Sequence, residues 1–400
     1  MKIAILGVGG VGASLAAHLQ RDARVSSVLL LDKDPSRVRE VSKTKVKVPI
    51  EAKRLDARHV VPLARAIRDS DVVVNTASPE HNLSIMRAAL AAGAHYLDVA
   101  GTGPHRPGGP SGILEQLRLH DRFRDAGLTA LVSMGLDPGM SNVMARDAAD
   151  SLDSIDAIRI RSGGTLRFVG LRPAPRFVPL YSKGAFFSDV VLPPTVWSNG
   201  RLQARDVLSE EEDYSFPDPV GVQPTFLVSH EEVKTLPRYL GKPVRNVDFK
   251  YAIDPHLARA LRSLGDLGLL DSARRIRVDR GRISFFDAFQ AAFPDILDIS
   301  SHVRGTKCVT VEIAGLRRGV REIRRSHILM PHAAAQRRGF TTAVYCLTGA
   351  AAAIGSVLLG EGAVPGPGVY PAEALDPRRV ITEWVGRRLP ICRHETLTPS

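Results

Sequence analysis

The chain has 400 residues, of which 24% are charged and 44% hydrophobic, and its formal net charge is +12. This length exceeds one ordinary domain and predicts two or three globular domains. The basic residues are dispersed except in Leu316 to Arg325, a run without interleaved aromatic residues. We interpret that run as a solvated face and not as a nucleic-acid surface, and the surplus of positive charge suits acidic substrates or cofactors.

The three cysteines, Cys308, Cys346 and Cys392, have neither metal-ligand nor redox spacing. They predict a reduced, cytoplasmic protein without a metal site. The sequence begins with an apolar strand pattern and shows no signal sequence. One run, Thr341 to Gly360, is long and apolar enough to suggest a membrane span, but its alanine, glycine and threonine content favours a helix packed inside the protein. We expect neither a membrane nor a nucleic acid as partner.

The most informative motif lies at the start of the chain, where the first twelve residues read MKIAILGVGGVG. A short apolar run leads into Gly-x-Gly-x-x-Gly and a helical pattern, and Asp32 ends the next apolar run. This context predicts a dinucleotide site. Gly7 would make the tight turn, Gly9 would let the backbone approach the pyrophosphate, and Gly12 would let helix and strand pack closely.

Asp32 predicts NAD as cofactor, because a carboxylate accepts hydrogen bonds from the ribose and repels a 2′-phosphate. Lys33 and Arg37 lie close enough to weaken that preference, so NADP stays open. The alternative is a Rossmann-like domain that binds no cofactor. The predicted cofactor contacts are Gly7, Gly9, Gly10, Val11, Gly12, Asp32, Lys33, Asp56, Ala57, Asn75, Thr76 and Ala77.

After Asp32 the apolar pattern alternates between strands and helices and predicts an α/β fold with a Rossmann doubly wound parallel sheet of six strands. The later strands are predicted at residues 46–48, 71–75, 95–99 and 129–134, with helices at 59–68, 82–92 and 113–126. From about Ser154, β-branched stretches and prolines predict a second, mixed α+β domain. Residues 362–371, rich in proline and glycine, predict a surface loop.

Carboxylates follow two of the predicted strands, at the sheet edge where open α/β folds bind ligands. Asp98 ends the fifth strand, and Asp137 follows the sixth in a turn leading to a helix capped by Ser141 or Asn142. Either carboxylate alone could cap a helix or hold a loop, but two around one cleft favour catalysis. In the second domain, His230 is a candidate proton carrier that titrates near neutrality, or an ordinary surface histidine in a polar loop.

Several motifs resemble the saccharopine dehydrogenase (saccharopine reductase) type family, which also contains carboxynorspermidine dehydrogenases, homospermidine synthases and lysine 6-dehydrogenases. The resemblance is carried by residues 7–12, 95–99, 135–142, 230–237, 348–355 and 368–371. It implies a Rossmann domain at 1–140, a substrate-binding and dimerisation domain at 141–338, and a segment at 339–400 that returns to the Rossmann domain. It also implies a homodimer and the oxidation of an amine.

The resulting prediction is a dehydrogenase acting on a C–N bond of an amino acid or polyamine derivative, through an imine that water hydrolyses. Asp98 is expected to orient the cationic amine, with Asp137 beside it and His230 carrying protons. The predicted substrate contacts are Asn142, Lys183, Glu231 and Arg238. Two alternatives remain open: an aminoalkyl transferase that uses NAD transiently, and a catalytically silent NAD-binding protein.

Overall fold

The computed structural model describes residues 1–42, 47–101, 112–279 and 281–397. The strands are β1 (Lys2–Leu6), β2 (Ser27–Asp32), β3 (Ile50–Arg54), β4 (Val72–Asn75), β5 (His95–Asp98), β6 (Thr129–Val132), β7 (Ser154–Phe168), β8 (Thr195–Ser198), β9 (Arg201–Ala204), β10 (Glu212–Phe216), β11 (Gly221–Leu227), β12 (Val244–Ala252), β13 (Ile276–Val278), β14 (Gly281–Ile283), β15 (Val303–Arg317), β16 (Val320–Pro331), β17 (Gly368–Pro371) and β18 (Cys392–Leu397).

The helices are α1 (Gly10–Leu19), α2 (Pro35–Ser42), α3 (Val60–Ala66), α4 (Asn82–Ala92), α5 (Ile113–Leu117), α6 (His120–Asp125), α7 (Met140–Ala149), α8 (Lys183–Val191), α9 (Glu232–Tyr239), α10 (Pro255–Asp266), α11 (Phe285–Ala291), α12 (Ile296–Ile299), α13 (His332–Arg337), α14 (Ala343–Gly360) and α15 (Pro377–Gly386).

The described residues form two compact units. The first contains Met1–Gly101, Gly112–Val143 and Tyr345–Leu389, and the second contains the described residues of Met144–Val344 and of Pro390–Ser400. These units differ from the predicted domain bounds at the C-terminus, where the segment from Pro390 clusters with the second unit.

The first unit is built on a seven-stranded sheet in the order β17-β6-β5-β4-β1-β2-β3. All of its pairings are parallel. Parallel strands with helices on both faces are buried, which explains the continuous apolar runs in the sequence. The α/β Rossmann-type fold is therefore confirmed, with a seventh strand in addition to the six predicted.

Three local predictions in this unit were wrong. The third strand is Ile50–Arg54 and not residues 46–48, because this edge strand is mostly exposed and carries no apolar run; residues 43–46 lie outside the described range. The helix at 113–126 is two short helices, α5 and α6. The segment 362–371 is not loop throughout, since its last four residues form the buried strand β17 beside β6.

Helix α14 is long and apolar enough to cross a membrane by composition, and 89% of its span is buried within the structure. A buried core helix passes the same test, so this helix is weak evidence of a membrane. Its small residues allow close packing in the first unit. A Cβ atom added to Gly349 would lie 2.5 Å from Ser14 Oγ of α1, which leaves room for hydrogen only.

The second unit contains a nine-stranded mixed sheet whose main path is β10-β11-β12-β7-β15-β16-β18, with β8 and β9 attached to β12. Strands β12 and β7 pair in parallel, whereas β15 pairs antiparallel with β7 and β16. The predicted α+β character is confirmed. The basic run at 316–325 spans the β15–β16 hairpin and is only partly a solvated face: Arg324 and Arg325 pair with Glu322 and Glu312.

Candidate functional site

The glycine loop joins β1 to α1, and its motif glycines leave the backbone bare where other groups approach it closely. Gly7 has a φ of +87°, and an added Cβ atom would lie 2.6 Å from the Ala77 nitrogen. The same atom on Gly12 would lie 2.0 Å from the Gly7 carbonyl oxygen, whereas on Gly9 its nearest contact would be Arg37 Nη1 at 3.6 Å. The loop is thus closed towards the sheet and open at Gly9, as a pyrophosphate at a helix N-terminus requires.

Two strand ends hold this cradle in place. Val8 N–H donates to Asp32 Oδ2 at 2.6 Å, and Asp34 N–H donates to Asp32 Oδ1 at 2.8 Å. From the end of β4, Thr76 Oγ1 donates to the Gly7 carbonyl oxygen at 2.6 Å. A carboxylate has about four acceptor positions, so Asp32 retains capacity for a ribose hydroxyl. The residues present therefore fit a dinucleotide.

The other predicted cofactor residues in this unit lie around the same strand ends. Ala77 N–H donates to Asn75 Oδ1, and Asn75 Nδ2 donates to Asn82. Arg58 pairs with Asp56 at 2.6 Å and holds the pKa of that partly exposed carboxyl below its usual range. Gly10 and Val11 open α1, Lys33 is exposed directly after Asp32, and Ala57 packs against the core.

Asp98 is buried at the end of β5, with 1% of its surface exposed. Its Oδ1 accepts from Ser133 N–H at 2.7 Å, and its Oδ2 accepts from the Gln116 side-chain amide. These bonds tie β5 to the turn after β6, an arrangement that supplies a structural role for the carboxylate. Its predicted catalytic role stays a prediction.

Asp137 and Asn142 flank the start of α7. Asp137 is partly exposed, whereas Asn142 is buried and bonded on both sides. Asn142 Oδ1 accepts from Gly139 N–H and its Nδ2 donates to Glu373 Oε2, both at 2.9 Å. These contacts anchor the turn to the returning C-terminal segment and occupy the amide predicted to bind substrate.

The second unit contains a cavity of about 390 Å³. The residues that line it include Arg167, Arg176, Tyr181, Tyr251, Asp254 and Lys307. Lys307 is 9% exposed, and its Nζ lies 5.7 Å from the centre of the Tyr251 ring. The lining thus includes three basic groups, which suit a ligand carboxylate, since charge-assisted hydrogen bonds are the strong ones.

Behind the two tyrosines lies a buried group that we term the histidine cluster: Tyr181, Asp189, His230, Glu232 and Tyr251. The Tyr181 hydroxyl donates to Asp189 Oδ2 at 2.9 Å and lies 3.2 Å from the Tyr251 hydroxyl. His230 Nε2 lies 3.4 Å from the Tyr251 hydroxyl, and His230 Nδ1 hydrogen-bonds Glu232. The cluster connects the cavity wall to buried carboxylates.

The prediction that His230 titrates near neutrality, and its alternative as a surface residue, were both wrong. His230 is 2% exposed and stacks on Phe249 with ring centres 3.7 Å apart. Burial alone lowers the pKa of His230, but the charges of Glu232, Glu231 and Asp189 outweigh it and raise the pKa to about 10. These carboxylates therefore favour the protonated imidazole.

The remaining predicted substrate residues are not gathered at this cavity. Lys183 Nζ donates to the Phe293 carbonyl at 2.8 Å, and Arg238 is exposed in the last turn of α9. Glu231 is buried beside His230, with 3.7 Å between its Oε2 and His230 Nδ1.

Sequence reasoning missed Tyr251, Asp189 and Lys307. One usable signal was present: Lys307 interrupts an otherwise apolar and β-branched strand. A lysine buried there needs a hydrogen-bond or charge partner, which marks the position as a candidate for function. Tyr251 shares a face of β12 with Phe249, but alternation alone does not distinguish such a tyrosine from core.

Two groups among the described residues could supply metal ligands, with donor atoms within 4.8 Å of one another. They are His230 with Glu231 and Glu232, and His327 with Cys392 and Glu395. The expectation of no metal site stays a prediction.

Comparison with known proteins supports both units. Residues 3–131 match the saccharopine dehydrogenase NADP binding domain, and residues 135–388 match the saccharopine dehydrogenase C-terminal domain. Carboxyaminopropylagmatine dehydrogenase of Synechocystis sp. is 25% identical over 94% of this chain and 93% of its own. Carboxynorspermidine synthase of Vibrio cholerae is 24% identical, with the same coverage of each chain.

The fold is also similar to apo saccharopine dehydrogenase (L-Glu forming) from Saccharomyces cerevisiae. That structure has a TM-score of 0.71 and 14% sequence identity, and the match covers 99% of this chain and 100% of that one. The two domain matches confirm the family resemblance seen in the sequence. The chain belongs to the saccharopine dehydrogenase family and is an oxidoreductase with a nicotinamide-binding domain.

Proposed function

We propose that the protein is a nicotinamide-dependent dehydrogenase acting on the C–N bond of a carboxylated polyamine or related amino-acid derivative. The carrying observation is the cavity in the second unit, whose lining includes Lys307, Arg167 and Arg176 and whose tyrosines lead to buried carboxylates. A molecule with a carboxylate at one end and amines at the other would place negative charge near the basic residues and positive charge near the carboxylates. The names of the two relatives describe substrates of this kind.

The first unit would hold the cofactor at the glycine loop, with Asp32 near the ribose. When bound, the nicotinamide exchanges a hydride with the carbon next to the substrate nitrogen. We retain NAD as the proposed cofactor, while the exposed cations Lys33 and Arg37 keep NADP as the competing choice.

The chain's own residues would bind and protonate the substrate. Lys307, Arg167 and Arg176 would orient the substrate carboxylate. Asp98 and Asp137 remain proposed catalytic residues for the cationic amine, and His230 supports the proton transfers that imine formation or hydrolysis requires. A homodimer is part of the same proposal.

The test is oxidation of carboxynorspermidine, carboxyaminopropylagmatine and saccharopine with NAD⁺ and NADP⁺, followed by absorbance of the reduced cofactor. Turnover of at least one carboxylated amine is expected. Tight cofactor binding without oxidation of any of them would favour a silent NAD-binding protein. Release of a transferred aminoalkyl product without net reduced cofactor would favour the transferase.

One variant tests whether Lys307 binds the substrate carboxylate. Lys307→Gln removes a charge-assisted hydrogen bond worth about 1.5–3 kcal/mol, so the KM for the carboxylated substrate should rise by roughly tenfold or more. Arg321→Gln is the matched control, because it removes one exposed positive charge elsewhere in the same unit. Equal KM values for Lys307→Gln and the wild type would remove Lys307 from the site.

A further inference from the structure

We propose that His327, Cys392 and Glu395 form a zinc-binding site that fastens the strand β18 to its neighbour β16. His327 belongs to β16, and Cys392 and Glu395 are the first and fourth residues of β18. One donor atom from each side chain lies within 4.8 Å of the donor atoms of the other two. The inference is independent of the proposed function, because it concerns residues outside the cavity and the glycine loop.

A bulge in β18 brings its two ligands to one face of the strand. In a regular strand, residues three apart point to opposite faces. Here Glu395 pairs with Arg325, whereas Cys392 pairs with His327, the residue two positions further along β16. The extra residue of β18 is accommodated where His394 has a φ of +57°, a conformation that residues other than glycine rarely adopt. Cys392 and Glu395 therefore lie on the same side as His327.

This side of the sheet is not the side of the cavity lysine. Lys307 pairs with Met330, which lies three residues along β16 from His327. Side chains three apart on a regular strand point to opposite faces, so His327 and the lysine lie on different faces of the sheet. Zinc at His327 would thus not touch the groups proposed to bind substrate.

The donor atoms already have nearly the spacing that a metal ion requires. Cys392 Sγ lies 3.3 Å from Glu395 Oε1, and His327 Nδ1 lies 3.8 Å from Glu395 Oε2. Ligand atoms around a tetrahedral zinc ion lie roughly 3.4–3.6 Å apart, given its bond lengths of about 2.0–2.3 Å. His327 Nδ1 is buried and has no hydrogen-bond partner among the residues that the structure describes. A metal ion would offset the cost of leaving that nitrogen unpaired.

The donor set and the surrounding charges suit zinc. Imidazole, thiolate and carboxylate are common zinc ligands, and one thiolate with one carboxylate neutralises the charge of the ion. The thiol proton leaves to solvent when the sulfur binds. The two nearest arginines along the strands bind other carboxylates: Arg325 pairs with Glu312 and Arg393 with Asp147, both at 2.7 Å. Glu395 is thus left to a metal ion.

An ion can reach this group from solvent. The Glu395 side chain is 44% exposed, and β18 lies at the edge of the sheet. The other possible group differs, since His230, Glu231 and Glu232 are each at most 2% exposed and His230 Nδ1 hydrogen-bonds Glu232. Three protein ligands on an exposed edge leave a fourth position for water.

Bound zinc would link two strands that are far apart in the sequence. β18 is an edge strand whose sheet partner is β16. An ion that binds the folded chain and not the unfolded chain stabilises the fold by mass action. Zinc should therefore raise the Tm of the full chain after treatment with EDTA, and Cys392→Ser should abolish the rise.

The test is titration of the EDTA-treated full chain with Co²⁺ and then with Zn²⁺. We expect a thiolate-to-cobalt charge-transfer band that zinc abolishes, with one ion bound per chain and a Kd for zinc of roughly 1 μM or tighter. The band identifies the site, because the group at His230 contains no sulfur. Cys392→Ser should remove the band, and His327→Gln should weaken zinc binding by roughly a hundredfold or more.

His256→Gln is the matched control, because it removes an exposed histidine from α10 of the same unit. Its zinc affinity should equal that of the wild type. Lack of a charge-transfer band, or equal zinc affinity of Cys392→Ser and the wild type, would overturn the inference. Zinc binding at Cys392 would in turn overturn the expectation of no metal site, which rested on the spacing of the cysteines alone.

Discussion

Asp32 affects both the choice of cofactor and the conformation of the glycine loop. Its carboxylate accepts N–H bonds from Val8 and Asp34, so it positions the glycine loop in addition to facing a ribose. We predict that NAD(H) binds more tightly than NADP(H) and that Asp32→Ala narrows the difference, because the repulsion of a 2′-phosphate is lost. Dissociation constants of the four cofactor forms provide the check, with Arg37→Ala as a second variant. Tighter NADPH binding by the wild type would contradict the preference.

Asp98 allows a structural and a catalytic role to be separated. Replacement by Asn turns one acceptor into a donor that faces either Ser133 N–H or the Gln116 amide. Because an unsatisfied buried bond costs about 1–3 kcal/mol, the variant should unfold at lower denaturant. A catalytic role adds a fall in turnover of roughly a hundredfold with NAD affinity little changed. Near-normal turnover of the folded variant would leave Asp98 with the structural role alone.

At the scale of elements, the turn from β1 to α1 requires glycines, because a Cβ atom would clash with the neighbouring backbone. Gly12→Ala would place a Cβ atom 2.0 Å from the Gly7 carbonyl, which must displace the strand or the helix. We predict a loss of unfolding free energy of about 3 kcal/mol or more, together with weaker cofactor binding. Gly265→Ala in α10 is the control, because no atom lies within 4 Å of its added Cβ. The control should gain up to about 1 kcal/mol, and equal effects of the two changes would refute the packing argument.

Elements with strong periodicity were predictable from sequence, and those set by tertiary contacts were not. The helix at Asn82–Ala92 matches its predicted bounds because its apolar face is continuous. Strand β3 carries little apolar signal at the sheet edge, and β17 is flanked by glycine and proline that resemble a loop. Its place beside β6 comes from a contact between distant parts of the chain, which no local pattern encodes.

The candidate site follows the same rule. Gly7, Gly12 and Asp32 were identified because a phosphate-binding loop is contiguous in sequence. The pKa of His230 was misjudged because it depends on burial, which opposes the charge, and on how closely Glu232 and Glu231 approach the ring, with a smaller contribution from Asp189. Tyr251 and Lys307 join the cavity only through the pairing of long strands, so their roles became visible in the structure alone.

For the whole molecule, the C-terminal segment is the clearest test of how the chain is organised. Helix α14 is largely buried and β17 extends the first sheet. Truncation after Arg338 would therefore expose the apolar surface that packs against α14 and the edge of β6 that pairs with β17. We predict that this truncation abolishes soluble folding, because an incomplete core buries too little surface. Solubility and cofactor binding of the shortened chain provide the measurement. A soluble truncation that still binds cofactor would contradict the prediction.

The central claim is that the protein moves a hydride between a nicotinamide and the carbon of a C–N bond. The most direct measurement is a turnover with cofactor deuterated at the transferred position, an amine and a carboxylated aldehyde, followed by mass spectrometry of the product. We predict one deuterium on the carbon joined to the new nitrogen bond, with one cofactor oxidised per product. Product without deuterium, or no product while the labelled cofactor stays bound, would contradict the account.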